Sequence, residues 1–138
     1  MPVLESNNRE PGGPYRVFWG RIESFRHAGQ GVAHMLRTQH NAWIHAAITL
    51  AVVISGIVFG VSRGEWCWLI LAMASVWTAE SFNTALEIIV DIASPEWRPA
   101  AGRAKDVAAG AVLLCAAGAS AIGLIIFIPR GLQLLLGM

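Results

Sequence analysis

Apolar positions fall into four stretches along the chain, and each stretch has its own rhythm. From 15 to 39, Phe18, Ile22, Phe25, Gly29, Val32, Ala33 and Leu36 recur at threes and fours among Arg16, Arg21, Arg26 and Arg37. That spacing predicts an amphipathic helix with a basic polar side, lying on an anionic membrane surface or packed beside one. Gly29 and Gly31 are expected to break or bend it. Residues 42–61 carry no charge apart from a titratable His45, and about twenty residues at 1.5 Å each cross the roughly 30 Å hydrocarbon layer. A first transmembrane helix is predicted there, a second over 66–92 and a third over 107–128. Arg63-Gly64-Glu65 reads as the tight turn between the first two, with Trp66 and Trp68 at interfacial depth. Pro129-Arg130 is expected to end the third helix and leave 131–138 as a short apolar tail. Residues 1–14, rich in breakers and poor in apolar side chains, read as a disordered tail.

The second helix interrupts its own apolar pattern. Glu80, Asn83, Glu87 and Asp91 lie within roughly 80° of one another at about 100° per residue. They therefore form one polar face over about three turns. Three carboxylates in apolar surroundings persist only where a metal or a basic side chain balances them. After the breaker-rich Ser94-Pro95-Glu96-Trp97-Arg98-Pro99 comes Gly102-Arg103-Ala104-Lys105-Asp106, read as a basic loop before the third helix. The small residues around Gly110 and Gly118 allow that helix close approach to its neighbours.

Composition narrows the class further. Of 138 residues, 55% are hydrophobic and 14% charged, more apolar than a soluble core of this size requires. Net charge is +1, and no basic run with interleaved aromatics points to nucleic acid. Cys67 and Cys115 lie far apart without zinc or redox spacing and read as small hydrophobes. The first thirty residues have no apolar core of a signal peptide, so a cleaved leader is not expected. Lys and Arg cluster in 15–41 and between the second and third helices, which predicts a cytoplasmic N-terminus and second loop.

Carboxylates confined to the cytoplasmic half of one helix favour an interfacial site over an ion pathway through the membrane. A nucleotide-using enzyme there needs carboxylates for Mg²⁺, cations for phosphates and a carboxylate for the acceptor hydroxyl. All three are present. No Walker A pattern, kinase Gly-rich loop or HRD-type segment occurs.

The segment Ala79-Glu80-Ser81-Phe82-Asn83-Thr84-Ala85-Leu86-Glu87-Ile88-Ile89-Val90-Asp91 resembles the signature E-x-x-N-[ST]-A-[IL]-E-x-x-[VI]-D of the prokaryotic diacylglycerol kinase and undecaprenol kinase family. Gly102-Arg103-Ala104-Lys105-Asp106, followed by Ala111-Val112, is similar to its GRAKDxxxxAV segment. Ser24-Phe25-Arg26-His27-Ala28 with Gly31, then Asn41 through Ile44-His45, resembles the undecaprenol kinase branch. The resemblance covers about residues 22 to 128 and implies a homotrimeric integral membrane enzyme. It implies that Glu80 takes the lipid hydroxyl proton, that Asn83 positions nucleotide or acceptor, and that Glu87 binds metal. Lys105 and Asp106 would contact nucleotide, Arg103 phosphate, and Asp91 ribose or adenine. Where the family has a second metal-binding glutamate, this chain has Gln39, whose amide oxygen can ligate Mg²⁺ without adding charge. Metal binding is then weaker, water-bridged or assisted by another residue.

The expectation is an all-α integral membrane protein: a disordered 1–14, a lipid kinase domain over 15–130 and a tail over 131–138. It would sit in the bacterial inner membrane and use Mg²⁺ and ATP to phosphorylate a lipid alcohol, undecaprenol or diacylglycerol. Membrane, ATP, lipid and two further copies are its expected partners, and nucleic acid is not. The alternative is a non-catalytic or divergent trimer using the stripe for ion binding or assembly. His45 reads as a packed histidine, and Trp19, Trp43, Trp66, Trp68, Trp77 and Trp97 mostly as interfacial anchors.

Overall fold

The computed structural model describes residues 14–96 and 98–137, with side chains from Ile22 onward. Residues 1–13 of the tail proposed over 1–14 and the anchor at Trp97 lie outside the described residues, as does the side chain of Trp19. Four helices follow one another: α1 Pro14–Thr38, α2 His40–Val58, α3 Arg63–Ala93 and α4 Pro99–Leu136. The chain divides into two units, one ending at His34 and one beginning at Met35.

In the first unit α1 runs through Gly29 and Gly31 without the expected break. Glycine only weakens a helix by about 1 kcal/mol, and neither position meets another group that would force a bend. Arg26 pairs with Glu23 at 3.0 Å on its exposed surface.

The second unit is built on α3. A capping box opens that helix: the Ser62 hydroxyl accepts from the Glu65 N–H, and Glu65 accepts from the Ser62 N–H. Arg63-Gly64-Glu65 is therefore the first helical turn and not a connecting turn. The chain reverses one step earlier, at Gly60, whose φ of 61° suits glycine. Leu69, Ala72, Val76, Glu80, Asn83 and Thr84 are the buried residues of α3. They recur at threes and fours, so the acidic stripe is the polar continuation of the same inward ridge that carries the apolar core.

Against this ridge α2 and α4 both run antiparallel. Gly56 of α2 sits under the Trp66 indole, while Gln39 reaches Glu87 at the other end. Arg130 of α4 bonds Glu65 at 2.8 Å near the start of α3, and Lys105 bonds Asp91 near its end. At the Glu65 end Val61, Leu69 and Ile126 form the buried core, with Val52, Phe59, Trp66, Met73, Ile122 and Phe127 packed around them.

Two sequence readings need correction in α4. The Gly102–Asp106 segment is helical, because Pro99 at the first helical position and the alanines after it start the helix early. The helix also continues through Pro129 to Leu136. Proline removes the donor to the Ile125 carbonyl; next to it, Arg130 donates to the Ile126 carbonyl at 2.6 Å and ties this turn to α3.

By length and composition α2 and α4 are able to cross a membrane. Helix α3 has the length, 31 residues, but its stripe carboxylates dilute the apolar run. Large apolar side chains cover the outside of the unit: Ile57, Leu71, Phe82, Leu114 and Ile125 are all exposed.

Candidate functional site

The site lies where the inward ridge of α3 turns from apolar to polar. Glu80 is 1% exposed, one turn beyond Val76 on the same face. Neither of its carboxylate oxygens has a hydrogen-bond partner among the described residues, and neither does Oδ1 of buried Asn83. Burying such groups unpaired costs free energy, so these three oxygens make the polar end of the ridge a candidate ligand site. The Thr84 hydroxyl is satisfied by donating to the Glu80 carbonyl at 2.9 Å.

One turn further, Glu87 is half-buried and accepts from two amides. Asn83 Nδ2 donates to its Oε1 at 2.9 Å and Gln39 Nε2 to its Oε2 at 3.0 Å. Gln39 stands between α1 and α2, with extended backbone at the N-cap of α2; that break aims its side chain across at α3. The pairing of residue 39 with Glu87, expected from resemblance alone, is thus present as a direct contact over 48 residues of sequence.

Asp91 is exposed and bonded to Lys105. Because 102–106 is helical, Lys105 approaches Asp91 from the first turns of α4 and closes the polar end of the site. Arg103 and Asp106 are exposed on the same turns and make no hydrogen bond or ion pair with a described residue.

Two residues take on more than sequence reading allotted them. His45 faces the buried carboxylate, with Nε2 4.0 Å from Oε2 of Glu80. Trp77, read from the sequence as anchoring or packing, donates its indole N–H to Thr49 at 3.0 Å and lies edge-on to His45 at 6.5 Å. The available signal was the position of His45 in the Asn41–His45 motif, five residues from the first polar group of α2. A cavity of about 370 Å³ between α2, α3 and α4 is lined by apolar side chains such as Val76, Leu124 and Phe127, with His45 on its wall. A smaller one of about 220 Å³ lies among Asn41, His45, Ala109 and Val112, so His45 borders both.

No cluster of three or more His, Cys, Asp or Glu side chains able to hold a metal occurs among the described residues. Glu87 and the two amides bonded to it, Asn83 and Gln39, are oxygen-bearing side chains brought together at this end of the stripe. Such a hard, oxygen-only donor set fits Mg²⁺, which keeps several of its waters and takes few protein ligands.

Comparison with known proteins gives the same direction. The family model described as prokaryotic diacylglycerol kinase matches residues 26–127. The undecaprenol kinase of Bacillus subtilis is 41% identical over 109 residues, covering 79% of this chain and 89% of that protein. The diacylglycerol kinase of Synechocystis sp. is 36% identical over 115 residues, covering 83% of this chain and 66% of its relative.

Proposed function

This chain belongs to the prokaryotic diacylglycerol kinase family, and from that premise we propose how its residues divide the work. The protein is an ATP-dependent kinase acting on a lipid alcohol at the membrane. Undecaprenol is the acceptor we favour over diacylglycerol, supported by the Asn41–His45 motif and by the greater identity to the undecaprenol kinase.

Glu80 is the general base. The lipid O–H bond breaks, its proton passes to the Glu80 carboxylate, and the freed oxygen bonds to the γ-phosphorus as the bond to ADP breaks. Asn83 turns its free amide oxygen toward the acceptor or nucleotide while its NH₂ steadies Glu87. Glu87 and Gln39 would hold Mg²⁺, with half a turn of the Gln39 amide presenting its oxygen in place of its nitrogen. Bound there with ATP, Mg²⁺ would neutralise charge on the phosphates. Lys105 and Arg103 face the phosphates from the first turns of α4, and Asp91 and Asp106 contact the nucleotide.

The reading extends to assembly. α3 spans the membrane beside α2 and α4, three copies associate through their exposed apolar faces, and the polar end is cytoplasmic, where ATP is available. The observation that carries the proposal is the buried Glu80 carboxylate with both oxygens unpartnered, beside Asn83 and one turn from Glu87. Purified protein given Mg-ATP and undecaprenol or diacylglycerol in turn tests it. Transfer of label from ATP γ-phosphate to undecaprenol is expected, and no transfer to any lipid alcohol overturns it.

A further inference from the structure

A general base must be ionised to accept a proton, yet Glu80 is almost wholly removed from water. A carboxylate so placed stays ionised only if a cation or hydrogen-bond donors favour that form. Its surroundings supply few. Along α3 the next carboxylate is Glu87, a like charge. Beside His45, α4 contributes Ala109, Val112, Leu113 and Ala116, none of them charged. Lys105 is engaged with Asp91 at the far end of the stripe. From α2 comes His45, the one described side chain able to carry positive charge that stands within 4.0 Å of the Glu80 carboxylate.

The ring is held in place. His45 is 14% exposed at its side chain, lies edge-on to Trp77, and Trp77 is pinned to Thr49 by its own N–H. His45 and Thr49 are four apart on α2 and Trp77 and Glu80 three apart on α3, so the four side chains form one patch across the helix pair.

We propose that His45 is a positioning residue for the phosphoryl transfer: as imidazolium it balances the buried Glu80 charge and keeps that carboxylate ready to take the lipid proton. This rests on Glu80 being the base. It also accounts for a titratable side chain at the junction of two mostly apolar cavities. Once Glu80 has received the lipid proton its charge is gone, and the imidazolium beside it, which favours the ionised carboxylate, promotes release of that proton to solvent before the next turnover.

The test uses the full chain in mixed micelles with undecaprenol and Mg-ATP, comparing Glu80→Gln, His45→Phe, His45→Gln and His45→Lys. Kinetics are measured across pH, and binding of a non-hydrolysable ATP analogue reports the folded state. Glu80→Gln should lose turnover by about a hundredfold or more. His45→Phe and His45→Gln should leave KM for Mg-ATP unchanged and lower kcat near neutrality tenfold or more. Their acidic limb of kcat should move to higher pH by about one to three units, the effect of removing an opposite charge at this range. His45→Lys, which keeps a cation, should return the limb toward its original position. An unmoved limb in His45→Gln, or an equal loss at every pH that lysine does not relieve, overturns the role of His45 and leaves Glu80 as base. Wild-type turnover in Glu80→Gln overturns the base itself.

Discussion

Replacing Gln39 with glutamate turns the amide–carboxylate contact at the end of the site into two facing carboxylates. In the present structure the Gln39 nitrogen donates to Glu87 Oε2 at 3.0 Å; in Gln39→Glu an anionic oxygen would take its place. At that separation two unit charges repel by about 5 kcal/mol at an effective dielectric of ~20, and by about 1.4 kcal/mol in bulk water. Both groups are half-buried, and the side chains can draw apart, so a cost of about 2 kcal/mol is expected without metal. A divalent cation between them reverses the sign, because hard cations favour anionic oxygen donors. Thermal unfolding in detergent should therefore show a Tm several degrees below wild type in chelator, and a larger rise on adding Mg²⁺ than wild type gives. The Mg²⁺ concentration for half-maximal activity should fall. Glu87→Gln should do the opposite, raising that concentration or abolishing activity while easing repulsion within the stripe. An unchanged Mg²⁺ dependence in Gln39→Glu, or the same shift in both variants, would remove residue 39 from the metal site and with it the proposed two-helix arrangement.

Three further outcomes are expected. A Cβ added at Gly56 would lie 2.7 Å from Trp66 Cη2 and 2.8 Å from Cζ2, so Gly56→Ala should cost about 1–3 kcal/mol; a wild-type Tm would mean the indole moves aside freely. For topology, a cysteine in place of Arg98 should react with a membrane-impermeant thiol reagent only in opened cells, and one in place of Gly64 from outside. The Ser62 N–H and hydroxyl, and then Arg130, hold the Glu65 carboxyl below its usual range, outside the proposed span over 66–92. Its contribution to stability is then complete above the ordinary value of 4.5 and lost as pH falls below it. Glu65→Gln should lower Tm at pH 7 and converge with wild type in acid, and a gap that persists at low pH would refute the linkage.

Local pattern was enough to determine the four-helix order and the polar face of α3, since periodicity is a property of one helix and Glu80, Asn83 and Glu87 share a face by spacing alone. The motif carried by those residues also pointed to the family. Helix ends were less legible. Pro99 and Pro129 both read as boundaries, yet the first starts α4 and the second lies inside it, because Arg130 bonds a neighbouring carbonyl and Glu65 across the helix pair.

Register between helices is what tertiary structure alone decided. One helix's period carries no information about which turn of a neighbour lies opposite. Here that alignment follows from the close approach of Gly56 to Trp66, the turn at Gly60 and the core of Val61, Leu69 and Ile126. From it come the pairings of His45 with Glu80 and Lys105 with Asp91, and the direct bond between Gln39 and Glu87, two residues the family resemblance had already brought together. The sequence determined which chemical groups the chain carries and which side of α3 presents them. Packing of α2 and α4 against that side determined which charge each carboxylate meets, and it set the packed histidine of α2 beside the buried Glu80.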